Sequence, residues 1–419
     1  MSQRFTAIYD IETPVGLDRA AAVVAGEQST GTFVRLAAET DALRARAAAR
    51  VEHIEETGHS DHPALPSRKT GPSYWRGRIT ISWPMDNIGA SIPNLMATIA
   101  GNLFELAELS AIRILSLDIP AEFAAAQPGP AHGIAGTRSL MGVAEGPMIG
   151  TIIKPSVGLS AEDTASLAGQ LAEAELDFIK DDELQADGPS CPLDARANQV
   201  MAVLNAHADR TGRKVMYAFN ITDEIDAMAR HAERLEKLGA TCLMVSLNWV
   251  GTTGLRFLRD RTTLPIHGHR NGWGLFSRSG DIGMDYSVIQ KIWRMAGADH
   301  LHVNGLGNKF TEPDDVVMAA AHAVQASLPG TARCALPVFS SGQTVWQVGP
   351  TAAQLGNQDF LICAGGGIVS HPMGAASGVT AFRKAAEAAR MGVKLTDFAT
   401  SNPELAAALD AYDRPVLDG

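Results

Sequence analysis

Cysteine is scarce in this chain: Cys191, Cys242, Cys334 and Cys363 are the whole complement, and no two form a Cys-x-x-Cys pair. Three of them fall inside apolar, strand-like runs. Buried free thiols are therefore expected, which excludes a disulfide framework and suits a reducing compartment. Positive charge is also short. The 35 Lys and Arg residues face 46 Asp and Glu, a formal net charge of -11. That balance disfavours nucleic acid and anionic membrane surfaces as partners, while leaving room for a local basic pocket that takes a phosphorylated metabolite. No stretch approaches an uninterrupted membrane span, and Met1 to Asp10 has no apolar signal core, so a cytoplasmic protein is expected. Internal repeats and low-complexity tracts are absent apart from a general alanine bias. What is present is an ordinary globular composition, 46% hydrophobic and 19% charged, over 419 residues. That length predicts two domains.

From about residue 148 onward, short apolar runs alternate with Ala-rich amphipathic segments. The expected strands are Ile149–Lys154, Phe178–Glu183, Val215–Ile221, Cys242–Leu247, Leu264–His269, His300–Asn304, Ala335–Ser340 and Phe360–Ala364. Helix-like stretches such as Ala161–Glu175, Asp223–Leu238, Pro313–Ser327 and Ala375–Met391 lie between them. Eight strands, each followed by a helix-length connection, is the count of a (β/α)8 barrel; a doubly wound open sheet is the competing layout. The barrel is preferred because polar residues recur at the strand ends, including Lys154, Asp182, Asn220, His269, His302, Ser340 and Gly365. In a barrel these ends converge on one mouth. The first 127 residues read as a small α+β domain. Strands are expected over Tyr74–Trp83 and Ile112–Ile119, and helices over Ala37–Glu56 and Asn94–Leu109. Gln127-Pro128-Gly129-Pro130 breaks the chain before a catalytic domain spanning 128–419.

Lys180-Asp181-Asp182-Glu183 closes the second of these strands with a cation and three anions. Such a group at a buried strand end is costly unless its members are paired or hold a metal. Lys180 and Asp182 share a strand face, and Glu183 lies just beyond. Two readings stand side by side here: a salt-bridge cluster, or an oxygen site for Mg²⁺ completed by a carbamate that CO₂ forms on Lys180. Lys154 ends the first strand as either a structural cation or a proton shuttle. His267-Gly268-His269-Arg270 and His300-Leu301-His302 repeat a His-x-His spacing. Zinc, an oxyanion site with Arg270, and plain core histidines are the alternatives. Ser340-Ser341-Gly342 and Gly365-Gly366-Gly367 follow the seventh and eighth strands, where barrels commonly hold phosphate. The loop Asn304 to Lys309 has the glycines of a mobile lid.

Taken together, these motifs resemble the large subunit of ribulose-bisphosphate carboxylase (RuBisCO), from about Ala20 to the end of the barrel. The resemblance implies a (β/α)8 TIM barrel after a ferredoxin-like α+β domain. By that resemblance Lys180 is the carbamylated lysine and Asp182 and Glu183 are the Mg²⁺ ligands. Lys154 is the proton-transfer lysine, His269 serves proton transfer or substrate contact, and Lys309 is the lid lysine. Arg270, His302 and Ser340 hold one phosphate end of the substrate, with Thr32, Gly342, Gly365 and Gly366 at the other. Glu27-Gln28-Ser29-Thr30-Gly31-Thr32 resembles the N-terminal active-site loop, and Gly101-Asn102 carries the substrate-binding asparagine. Glu27, Thr32 and Asn102 would complete the site of a neighbouring subunit, which implies a homodimer or a higher homo-oligomer.

The departures from the carboxylase pattern matter equally. Ser156 stands where a second lysine is expected after Lys154-Pro155, Trp273 replaces a histidine, Phe33 a tryptophan and Ile152 a threonine. The chain is therefore expected to be a RuBisCO-like protein (form IV) that forms an enediolate on a phosphorylated sugar or sugar acid without fixing CO₂. Among the reactions the resemblance implies, decarboxylation of a 3-oxo sugar-acid phosphate of the 3-oxo-isoapionate 4-phosphate type is preferred. The alternatives are 5-methylthioribulose 1-phosphate isomerisation, diketo-methylthiopentyl phosphate enolisation (where Asn102 stands in place of a lysine), true carboxylation, and non-catalytic sugar-phosphate binding.

Overall fold

Along the first strand Phe5, Ala7, Tyr9 and Ile11 are buried, while Arg4, Thr6, Ile8 and Asp10 between them are partly exposed. That period of two lays one face on a core. The computed structural model describes residues 3–31, 36–331 and 333–417. They form two units: one from the described residues of 1–127 with 272–292 and 328–332, the other from 128–271, 293–327 and 333–417.

The first unit holds β1 (Arg4–Thr13), β2 (Arg50–Ser60), β3 (Tyr74–Pro84) and β4 (Ala111–Asp118). Their order is β4-β1-β3-β2, antiparallel throughout. Helices Leu17–Glu27 and Ile92–Ala100 make the two crossovers of a ferredoxin-like βαββαβ layout. Two expectations are corrected here. The helix expected over Ala37–Glu56 is only Asp41–Ala47, and the chain then enters β2. The Glu- and Arg-rich composition suggested a helix, but pairing with β3 decides the conformation, and β2 keeps its charged side chains exposed. The helix expected over Asn94–Leu109 starts at Ile92, capped by the Ser91 side chain, and stops at Ala100. Any side chain on Gly101 would collide with the Ala97 carbonyl, so glycine is required at that break, and a single turn over Asn102–Glu105 follows.

The second unit contributes β5 (Met148–Ile152), β6 (Phe178–Lys180), β7 (Met216–Asn220), β8 (Cys242–Ser246) and β9 (Ile266–His269). The chain then supplies β10 (Ile282–Met284), which pairs parallel with β4 in the first sheet. It returns for β11 (His300–Asn304), β12 (Leu336–Phe339) and β13 (Leu361–Cys363). The eight parallel strands β5 to β9 and β11 to β13 close into a barrel, each lying inside an expected strand or within one residue of it. Phe178, Met216, Met244, Val338 and Leu361 belong to one buried cluster among these strands. All four cysteines are free; Cys191, Cys242 and Cys363 are buried, whereas Cys334 is partly exposed. Among the described residues no helix is long and apolar enough to cross a membrane.

Asp299 ties together the start of β11, the start of β9 and the helix Gly133–Met141. Its carboxylate accepts from the backbone N–H groups of His132 (2.6 Å), Gly133 (3.0 Å) and Ile266 (2.9 Å), and from Arg259 Nη1 (3.1 Å). Both members of the ion pair are buried. Asp299→Ala removes the acceptor of Arg259 Nη1 and of three backbone N–H groups and leaves the buried guanidinium without its counter-charge, so a loss of about 3–5 kcal/mol is expected in urea unfolding. Asp299→Asn, which keeps an acceptor oxygen, should lose less.

Candidate active site

The end of β6 places Lys180 inside the barrel with 1% of its side chain exposed. Its Nζ donates to the Asp181 carbonyl at 2.9 Å and lies 3.6 Å from Met244 Sδ. The Glu183 carboxylate is 3.8 Å away, an ion pair beyond hydrogen-bond length. Burial lowers the Lys180 pKa, and the charge of Glu183 offsets this only in part. The amine is thus poised toward its neutral, nucleophilic form.

The three following acids take different roles. Asp181 is fully buried and structural: it accepts from Tyr217 Oη (2.6 Å), Arg196 Nε (3.2 Å) and Asn220 N (2.9 Å). Asp182, also buried, accepts Lys154 Nζ at 2.6 Å. Glu183 is partly exposed, with its Oε2 3.7 Å from His269 Nε2. Burial opposes ionisation of Glu183, but His269, Lys180 and Lys154 outweigh it and hold the pKa below the ordinary carboxylate range. Burial pushes His269 down to about 4. Asn220 Nδ2 donates to the Asp182 and Glu183 carbonyls (3.1 and 3.2 Å), which fixes the turn that carries both carboxylates. Asp182 and Glu183 are the side chains here that could hold a hard divalent cation.

Lys154 Nζ also donates to Ser156 Oγ at 2.8 Å, so the residue standing in place of a second lysine anchors the first. A methyl group on Gly365 would lie 3.7 Å from Lys154 Cε, which places the loop after β13 beside that lysine. His302 and His269 rings lie 4.4 Å apart, and His302 Nδ1 is 2.9 Å from Ser340 Oγ. Lys154, Lys180, Asp182, Glu183, His269, His302, Ser340 and Gly365 are therefore brought together. Arg270 follows His269 and pairs with Glu312. Lys309 is exposed, its backbone N–H donating to the Ser341 carbonyl (3.1 Å) and its Nζ 5.3 Å from the Phe310 ring centroid. Gly342, at φ +90°, faces the Lys309 backbone across that loop. Gly366 begins the short helix Gly366–Val369. In the first unit Asn102 Nδ2 is 3.4 Å from Glu27 Oε1. Thr32 and Phe33 lie outside the described residues.

His267 and His300 are core residues, both fully buried. They connect through His267 Nδ1 to His300 Nδ1 (3.4 Å), and His267 Nε2 meets His302 Nε2 at 2.7 Å. His300 Nε2 reaches Thr137 Oγ1 at 2.9 Å. Their polar side-chain contacts are with one another, with His302 and with Thr137. Several residues escaped the sequence reading. Arg196 and Tyr217 fix Asp181 from distant positions with no motif to mark them. Gln343 fills the space between Gly305 and Gly367 and donates to the Leu306 carbonyl. Glu312 had one visible signal, an acid three residues beyond the lid lysine.

The class this defines is a closed parallel (β/α)8 barrel with a buried lysine, two adjoining acids and a second lysine at its mouth. Family models narrow this. Residues 133–412 match the ribulose bisphosphate carboxylase large chain catalytic domain, and residues 3–123 match its N-terminal domain. The chain belongs to the RuBisCO large-chain family. It is 52% identical to a 3-oxo-isoapionate-4-phosphate transcarboxylase/hydrolase of Xanthobacter autotrophicus, over 98% of this chain and 99% of that one. It is 40% identical to a 3-oxo-isoapionate-4-phosphate decarboxylase of Rhizobium etli, covering 97% and 98%. A rubisco-like protein from Burkholderia fungorum superposes with a TM-score of 0.92 at 44% identity, covering 98% of this chain and all of that one. Solved RuBisCOs among the structural relatives include an octamer and a dimer.

Burial lowers the His300 pKa to about 4. The unfolded chain, near 6.5, takes up this proton first, so stability is full above about pH 6.5 and falls as pH drops toward 4. This group alone should remove about 2 kcal/mol between pH 7.5 and pH 5. Urea unfolding at both pH values should show a smaller difference for His300→Gln than for the unmodified chain.

Proposed function

We propose that this chain is a RuBisCO-like enzyme that removes the carboxylate of a phosphorylated 3-oxo sugar acid of the 3-oxo-isoapionate 4-phosphate type. The observation that carries this reading is Lys154 held between Ser156 Oγ and Asp182 Oδ2, next to the buried Lys180. A carboxylase must abstract a proton from its substrate before it can add CO₂. A β-keto acid instead forms its enediolate by breaking the C–C bond: CO₂ leaves and the electron pair passes onto the ketone oxygen. That needs no strong base, which accords with a single lysine at the end of β5. Lys154 Nζ then supplies the proton that quenches the enediolate carbon. Lys309, on its exposed loop, meets the substrate carboxylate. Arg270, His302 and Ser340 contact one end of the substrate, and Gly342, Gly365 and Gly366 the other, with Thr32 supplied by a neighbouring subunit. His269, neutral near pH 7, is a hydrogen-bond partner for substrate oxygen.

Asp182, Glu183 and Lys180 fit Mg²⁺. Both carboxylates are hard oxygen donors, and the desolvated amine becomes a third anionic ligand once it takes up CO₂ as a carbamate. Bound there, Mg²⁺ supplies Lewis-acid stabilisation of the charge that develops on substrate oxygens. Glu27 and Asn102 are proposed to complete the site of a second subunit in a homodimer or larger assembly, within the cytoplasm. A second reading, transfer or hydrolysis of the carboxylate-bearing fragment, is favoured by the 52% identity to the Xanthobacter autotrophicus enzyme.

Purified protein with Mg²⁺ and bicarbonate is expected to release CO₂ from 3-oxo-isoapionate 4-phosphate. Retention of the carboxyl carbon in a small organic acid would instead identify transfer or hydrolysis. Lys180→Ala should reduce turnover about 10³-fold or more and abolish Mg²⁺ binding while phosphate-ligand binding persists. Turnover of 5-methylthioribulose 1-phosphate with no reaction of the sugar acid would replace this reading by the isomerase.

A further inference from the structure

Two independent features bear on what the Arg270 end of the site accepts. The first is Glu312. Its carboxylate is ion-paired with Arg270, and the same Oε2 accepts Asn304 Nδ2 at 2.6 Å. Asn304 Oδ1 in turn accepts the Ser341 hydroxyl at 2.9 Å. Both partners of the ion pair are largely buried, with 9% and 16% of their side chains exposed. The guanidinium is therefore already matched by an anion, and a dianionic phosphate arriving here meets a buried carboxylate.

The second feature is the direction of a buried hydrogen-bond chain. Thr137 Oγ1 donates its one proton to the Gly133 carbonyl at 2.6 Å, so it can only accept from His300 Nε2–H. A neutral imidazole carries a single N–H, which leaves His300 Nδ1 as acceptor for His267 Nδ1–H. His267 Nε2 then accepts from His302 Nε2–H at 2.7 Å. That leaves His302 Nδ1 as acceptor for the hydroxyl proton of Ser340 at 2.9 Å. Burial holds all three histidines well below the ordinary range, which keeps them neutral. Reversing the chain would require Thr137 to give up its bond to Gly133. Ser340 Oγ is thus left as an acceptor for any further partner, because its one proton is committed to His302. An oxyanion needs donors, whereas a substrate hydroxyl needs this acceptor.

We infer that the Arg270–Ser340 end of the site receives an uncharged substrate hydroxyl in place of a second phosphate, and that Glu312 is the residue that sets this specificity. His267 and His300 are positioning residues that act through His302 and Ser340. The inference deepens the sugar-phosphate reading above and rests on it: the single phosphate belongs to the glycine loops after β12 and β13.

Calorimetry of the Mg²⁺-loaded protein with ribitol 1-phosphate and ribitol 1,5-bisphosphate tests this. The unmodified chain should bind the monophosphate at least as tightly as the bisphosphate. Glu312→Gln should lower the ratio of bisphosphate to monophosphate Kd tenfold or more, a gain that a merely structural role for Glu312 would not produce. Ser340→Ala should erase the preference for ribitol 1-phosphate over its 5-deoxy counterpart. A bisphosphate preference of tenfold or more in the unmodified chain, or an unchanged ratio in Glu312→Gln, would overturn the inference while leaving the sugar-phosphate reading intact. Failure of both ligands to bind would overturn that reading and the inference with it. Neutron diffraction on the unmodified protein needs no variant. Deuterium on His302 Nε2 supports the assignment, and deuterium on His302 Nδ1 overturns it.

Discussion

A lysine amine enclosed in a parallel barrel, with the nearest carboxylate among the described residues 3.8 Å away, is an unusual thing for a fold to maintain. Desolvation works against its charge, and the neighbouring acids restore only part of what burial removes. The rest of the site follows from that tension. A neutral amine is able to take up CO₂ and become an anion, which is the basis of the role proposed for Lys180 beside Asp182 and Glu183.

The barrel supports this arrangement by separating acids that are adjacent in sequence. Asp181 is consumed by Tyr217, Arg196 and a backbone N–H. Asp182, on the opposite face, remains for Lys154. Alternation along an extended backbone makes that division automatic. The Asn220 side chain then grips the carbonyls of residues 182 and 183, so β7 adds to the turn's own hydrogen bonds from Leu184 N and Gln185 N to Asp182. Further around the barrel, His267, His300 and His302 replace apolar core residues with a hydrogen-bonded chain. Its satisfaction depends on each imidazole keeping one proton. Such a chain gives Ser340 a direction as well as a place.

The fold was legible in large part because its signals are local. Eight short apolar runs, each followed by a helix-length segment and ending in polar residues, announce a barrel whose strand ends share one mouth. Lys154, Lys180, Asp182, His269 and His302 were visible for the same reason: each is a polar residue where an apolar run stops. The first unit was less legible. Arg50–Ser60 is an edge strand with an exposed, charged surface, and a composition rich in Glu and Arg reads as helix until β3 lies beside it. The strand Arg4–Thr13 carries its signal only in part, since Phe5, Ala7, Tyr9 and Ile11 keep a period of two that Ile8 interrupts. Trp273, read as a lost histidine, is a buried ring set 5.8 Å from Tyr286.

By itself the sequence determined the order of strands and helices, the family, and the set of ionisable side chains at the strand ends. Those properties depend on periodicity and on spacing along the chain. Tertiary structure alone decided the pairings: Asp182 rather than Asp181 for Lys154, Glu312 for Arg270, and Thr137 as the far end of the histidine chain. These partners come from strands and loops up to 163 residues apart. Which of two equivalent groups meets, and which way a shared proton points, depends on angstrom-scale distances that sequence spacing does not encode.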